Sequence, residues 1–152
     1  MVLLQNLIAV VIGFIGGSLV NMAIIVWISP LIPLPEGIDP NSMESIKANI
    51  DKFGVQNFIA PFAAHALGTL CGAFLTACLA KNRKLALSFV IGLLNMLGGI
   101  AAIMMIGGPI WFMIVDLGVA YLPMAACGGL LGIALTGRQV DKGGSTPANI
   151  ST

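Results

Sequence analysis

The sequence predicts an all-α membrane protein, a four-transmembrane-helix bundle with a short amphipathic helix in its first outer loop. Four apolar stretches fill almost all of the 152 residues, and each supplies the roughly 20 helical residues that cross a hydrocarbon core about 30 Å thick. Apolar side chains make up 58% of the chain and charged ones 9%, with a mean hydropathy of +1.02. Ordinary soluble domains carry about 25% charged residues. This chain cannot coat a water-facing surface, so a soluble globule is excluded. A net charge of +1 offers no basic stripe for a run of phosphates, which argues against nucleic acid and leaves the lipid bilayer as the implied partner.

Residues 1–136 are expected to form one transmembrane domain, with spans at about 4–28, 58–80, 85–106 and 110–135 and an outer loop at 29–57. The first span lacks a basic segment in Met1 to Gln5 and an A-x-A site, so it is read as a transmembrane helix and not as a secretory signal. Trp27 near its end suits an interfacial anchor, and Pro30, Pro33, Pro35 and Pro40 then forbid further helix. In the outer loop, Asn41 and Glu44 form a capping-box pattern, and Met43, Ile46, Ile50 and Phe53 recur at helical spacing, which predicts a helix from about Asn41 to Phe53. That helix either lies in the outer interface or covers the mouth of the bundle. Pro61 is tolerable in the opening turn of the second span, and Lys81, Asn82, Arg83 and Lys84 close it. Gly107, Gly108 and Pro109 form a turn so short that spans three and four must be antiparallel neighbours, and Pro123 is expected to kink the fourth. Residues 137–152 read as a disordered cytoplasmic tail, rich in Gly, Ser, Thr and Asn.

Helices in a bilayer associate through close packing and hydrogen bonds, because lipid tails are as apolar as Leu. Rows of small residues therefore mark contact faces. Gly13 and Gly17 form one, Ala64, Gly68, Gly72 and Thr76 a second, and Gly92, Gly99 and Ala102 a third. Ala125 with Gly129, or Gly128 with Gly132, forms a fourth. One row is free in this accounting to face a second copy, as a homodimer, or another membrane protein.

Few groups inside the membrane can carry chemistry: Ser18, Asn21, His65, Thr69, Asn95, Asp116 and Tyr121. An intramembrane carboxylate is costly unless paired, so Asp116 is a functional candidate by default. At a helical rise of 1.5 Å per residue, Asn21, His65 and Asp116 fall in one layer about 10 Å below the outer surface. Asn21, His65 and Asn95 share faces with small residues, whereas Asp116 shares its face with Ala120 but has Ala125 and Gly129 nearly opposite. The expectation is a hydrogen-bonded cluster of Asn21, His65 and Asp116, extended by Asn95 and Tyr121. Such a cluster either pins helices together or lets a His beside a carboxylate exchange protons near neutral pH. No spacing supplies a metal site around His65, no motif asks for a cofactor, and no G-x-S-x-G elbow or Cys close to His65 in sequence points to an enzyme. Cys71, Cys78 and Cys127 lie in apolar segments and read as small packing residues.

The segments PLPEGIDPNSMESIKANI, APFAAHALGTLCGAF and IWFMIVDLGVAYLPMA resemble those of small uncharacterised four-span bacterial inner-membrane proteins. That resemblance implies a location and no activity. Small multidrug transporters also have four spans, but their hallmark is a membrane-embedded Glu in the first span, which here has no acid. The functional expectation is a non-enzymatic accessory or assembly component packing through its small-residue faces; the alternative is a small proton-linked transporter or channel using the Asn21, His65 and Asp116 layer.

Lys81, Arg83 and Lys84 in one loop, and Arg138 and Lys142 in the tail, place those segments and both termini on the cytoplasmic side. A periplasm-only reporter fused to the tail is therefore expected to be silent, and activity there would overturn this topology.

Overall fold

The computed structural model describes residues 1–137, so the expected tail lies outside the described residues except for Gly137. Among the described residues there are six α-helices: α1 (Val2–Ile28), α2 (Met43–Ala48), α3 (Ile59–Leu79), α4 (Lys84–Ile106), α5 (Ile110–Val119) and α6 (Leu122–Thr136). α1, α3, α4 and the α5–α6 pair are each long and apolar enough to cross a membrane, giving a four-span, all-helical bundle. Their outward faces carry Leu, Ile, Val, Phe and Met, as a lipid-facing surface requires.

α3 is the central helix, packed against α1, α4 and α6. Glycine makes these contacts possible. A methyl group on Gly17 would lie 2.5 Å from the Gly68 carbonyl oxygen, and one on Gly72 would lie 2.8 Å from that of Gly13. α1 and α3 thus meet backbone to backbone, which any side chain at these positions would prevent. On the other side of α3, a methyl group on Gly132 would lie 2.7 Å from the Ala77 side chain, and one on Gly92 of α4 would lie 2.7 Å from that of Ala125 on α6. The buried Ser88 hydroxyl lies 3.1 Å from the Ala73 carbonyl and 3.0 Å from that of Lys84, a polar link between α4 and α3. At the basic end of the bundle, Asn6 donates to Asn82 at 2.7 Å and accepts from the Lys81 backbone N–H at 3.0 Å, tying α1 to the α3–α4 turn. All four expected rows are used inside the chain, although Ala102 is only half-buried.

The outer loop departs from expectation. Its helix is α2, six residues long, capped by Ser42 and not by Asn41: the Ser42 hydroxyl accepts from the Ser45 N–H at 3.2 Å. Asn41 instead gives its own backbone N–H to Asp39 at 2.9 Å, which commits it to the preceding turn. The helix ends at Asn49, whose side chain donates back to the Ser45 carbonyl at 2.8 Å, and Ile50–Lys52 continues as a 3₁₀ turn. Local side-chain bonding of this kind competes with helix propagation. α2 packs back on α4, and Asn57 fastens the end of the loop by donating to the Pro33 carbonyl at 2.9 Å. Phe58 then packs against both Trp111 and Phe112, with ring centroids 5.5 and 4.7 Å away, at the end of the bundle opposite the α3–α4 turn.

The fourth span is broken, not kinked. α5 ends with Ala120 N–H donating to the Asp116 carbonyl, and α6 picks up with Ala125 N–H donating to Tyr121. Pro123 causes the interruption, since it has no N–H and its ring excludes the carbonyl four residues back. Proline sits in the first turn of the new helix, where both defects are tolerated.

Gly17→Ala is expected to cost about 1–3 kcal/mol through overpacking at the α1–α3 crossing. Gly118→Ala, with nothing within 4 Å of the added methyl, should be neutral or slightly stabilising. Thermal unfolding of the two variants in detergent checks the contrast.

Candidate intramembrane polar site

The break places the carboxylate. Asp116 and Ala125 are nine positions apart, about half a turn out of phase on an unbroken helix. Non-helical backbone at Tyr121, with φ −114° and ψ −80°, resets that phase, so Phe112, Asp116 and Ala120 on α5 and Ala125, Gly129 and Gly132 on α6 all face inward. Asp116 is 1% exposed.

Its burial is matched by two donors. His65 Nδ1 lies 2.9 and 3.0 Å from the two carboxylate oxygens, and the Tyr121 hydroxyl donates to Oδ2 at 2.9 Å. Tyr121 is itself buried, and its ring leans on His65 with centroids 5.6 Å apart and a 32° tilt. Gly99 on α4 makes room for the phenol: any side chain there would overlap the Tyr121 hydroxyl. An ionised Asp116 accepts only, and opposite it Nδ1 is the nitrogen that carries the hydrogen. Nε2 then presents a lone pair and has no hydrogen-bond partner among the described residues. The His65 side chain is 21% exposed, so one edge of its ring remains accessible.

His65 lines a cleft of about 240 Å³ between α1, α3 and α4, with Ser18, Asn21, Thr69, Asn95 and Tyr121 as its other polar groups. Thr69 accepts from Asn95 at 3.0 Å, a second polar contact that joins α3 to α4. The expected cluster is therefore divided. His65, Asp116 and Tyr121 form one bonded set, and Asn95 belongs to Thr69. Asn21 does not join His65 or Asp116 by a hydrogen bond; its Cβ packs against Gly68, one turn further along α3. Equal depth alone could not reveal this, because α1 crosses α3 where glycine permits, and that crossing aims Asn21 into the cleft. Ser18, seven positions before Ile25 and one turn before Asn21 and Met22, shares the lining. Thr69's pairing and Gly99's service to Tyr121 were not readable from spacing; the nearest signal was that Asn95 and Gly99 lie four apart on one face.

No protein-family model, curated protein or solved structure matches the chain. The function must be argued from the site itself.

Tyr121→Phe removes one of two donors to a buried carboxylate and is expected to cost about 1–3 kcal/mol. In an Asp116→Asn background the same change should cost less, because bonds to a charged acceptor are roughly twice as strong as neutral ones. A double-mutant cycle on detergent stability reads that difference directly.

Proposed function

We propose that this multi-pass membrane protein is a small carrier that binds a polar solute group in the cleft and exchanges a proton at His65. The observation that carries the reading is an imidazole lining a polar cleft, with Nδ1 held by a buried carboxylate and Nε2 without a hydrogen-bond partner among the described residues. With Nε2 bare, His65 accepts a hydrogen bond from a bound group. Once protonated, the same atom donates, and Asp116 directly behind it balances the new charge. A solute held through its own donor is thereby released, which couples occupancy of the cleft to the proton.

Two further features support a carrier over an open channel. The fourth span is discontinuous beside the site, an arrangement that suits binding sites near the bilayer midplane. On the basic side of the cleft, Ala73, Ile91 and Ala125 pack with Val10 into an apolar plug, so polar lining ends near Thr69 and Asn95. An accessory role has less support, because the small-residue faces it would use are already filled by the chain's own helices. A bacterial inner membrane and cytoplasmic termini belong to this proposal as its setting.

Proteoliposomes containing a trapped pH indicator test it. Candidate solutes added outside should produce proton movement with wild type and none with His65→Ala or Asp116→Asn. If both variants fold and match wild type for every solute that moves, the proton-coupled reading is dead.

A further inference from the structure

We infer that the cleft is entered sideways, from the hydrocarbon core of the bilayer, by the polar head of a membrane-dissolved amphiphile. This rests on the proposal that the cleft is a binding site and names the class of compound it takes. The geometry comes from the rim. Thr69, Gly99 and Tyr121 at the back of the cleft are buried, while Phe14 and Ser18 on α1 and Leu94 and Gly98 on α4 are exposed. The exposed four mark the mouth.

Their depth decides what the mouth faces. Counting from the outer ends of α1 and α4 at 1.5 Å per residue, Gly98, Ser18, Leu94 and Phe14 lie roughly 12, 15, 18 and 21 Å below the surface. A hydrocarbon core is about 30 Å thick, so the mouth opens onto acyl chains near its middle, with no water there. Toward the outer end, α2 packs on α4, and Phe58, Trp111 and Phe112 cluster where α3 meets α5. Below the cleft lies the apolar plug. The gap between α1 and α4 is the open side.

Size and chemistry narrow the occupant. An engineered apolar cavity of about 150 Å³ takes up benzene, and drug-sized ligands need about 300–1,000 Å³. At about 240 Å³ the cleft admits a ring-sized head and leaves the rest of the molecule outside. Nε2 of His65 asks for a donor on that head, such as a hydroxyl, and the Asn21 and Asn95 side chains and the Ser18 hydroxyl offer partners for its other polar atoms. Phe14 and Leu94 flank the mouth where an apolar tail would leave it. The fitting class is an uncharged hydroxylated ring carrying an alkyl tail. Among the described residues no Asp, Glu, Lys or Arg lines the cleft, which disfavours a permanently charged head.

Photolabelling of the full chain in proteoliposomes tests the entry route. One probe is hexylphenol carrying a diazirine on its ring; the other is the same head with a sulfonate in place of the tail. The expected result is labelling of peptides containing Phe14, Ser18, Leu94 and Gly98 by the hexylphenol probe, suppressed severalfold by excess unlabelled hexylphenol. Gly98→Phe should reduce that labelling severalfold by obstructing the mouth, since a Cβ at this position meets nothing within 4 Å and the backbone can carry the side chain. Labelling of the same peptides by the sulfonate probe alone would overturn lateral entry while leaving the cleft as a solute site. No labelling by either probe would overturn both. Efficient disulfide cross-linking of Ser18→Cys between chains, with Cys71, Cys78 and Cys127 changed to alanine, would assign the mouth to a second copy and likewise overturn the proposal.

Discussion

One carboxylate inside the membrane governs this structure. A lone ionised group in hydrocarbon costs several kcal/mol, and every oxygen it exposes must find a donor from the protein. Asp116 finds two, the His65 ring and the Tyr121 hydroxyl, and the positions of both depend on features far from chemistry. Tyr121 reaches the carboxylate because the backbone leaves helical geometry there. The backbone leaves it because Pro123 withholds an N–H. The phenol fits because position 99 is glycine. A polar site in a bilayer thus recruits a helix break, a small residue on a neighbouring span and a partner on a third.

The rest of the bundle exists to bring those spans close. Interhelical hydrogen bonds in membranes are worth about 0.6 kcal/mol each on average, too little to hold helices at a distance set by large side chains. Glycine pairs on α1 and α3, and on α6 against α3, allow backbone contact and recover the dispersion energy of close packing. The exception is the α1–α4 gap. There the polar lining meets an open edge, and the structure spends its packing elsewhere.

The fold was legible because its signals are coarse. Span lengths, the Gly107-Gly108-Pro109 turn and the small-residue rows all follow from one-dimensional spacing, and the four spans fall within a few residues of the expected ranges. The site was legible only in part. His65 and Asp116 share a depth, so their meeting could be anticipated from rise per residue. Asn21 shares it too and makes no bond with either, because depth fixes height and not the rotation of α1 on its glycine contact with α3. The inward direction of Asp116 was hidden for a related reason: periodicity assumes an unbroken helix, and Pro123 resets the phase between Asp116 and Ala125. The outer helix was misread at its start because Asn41 and Ser42 are both good caps, and only the Asp39 side chain decides between them.

The central claim is that Asp116 fixes the His65 ring so that Nε2 faces the cleft unprotonated. His65 is the one histidine in the chain, so nitrogen NMR of protein labelled with ¹⁵N-histidine in lipid gives a single imidazole to read. At alkaline pH the account predicts a protonated, hydrogen-bonded Nδ1 and a bare Nε2 that gains a proton on acidification, with the tautomer preference lost in Asp116→Asn. A ring protonated at Nε2 at alkaline pH, or a tautomer indifferent to Asp116→Asn, would contradict it.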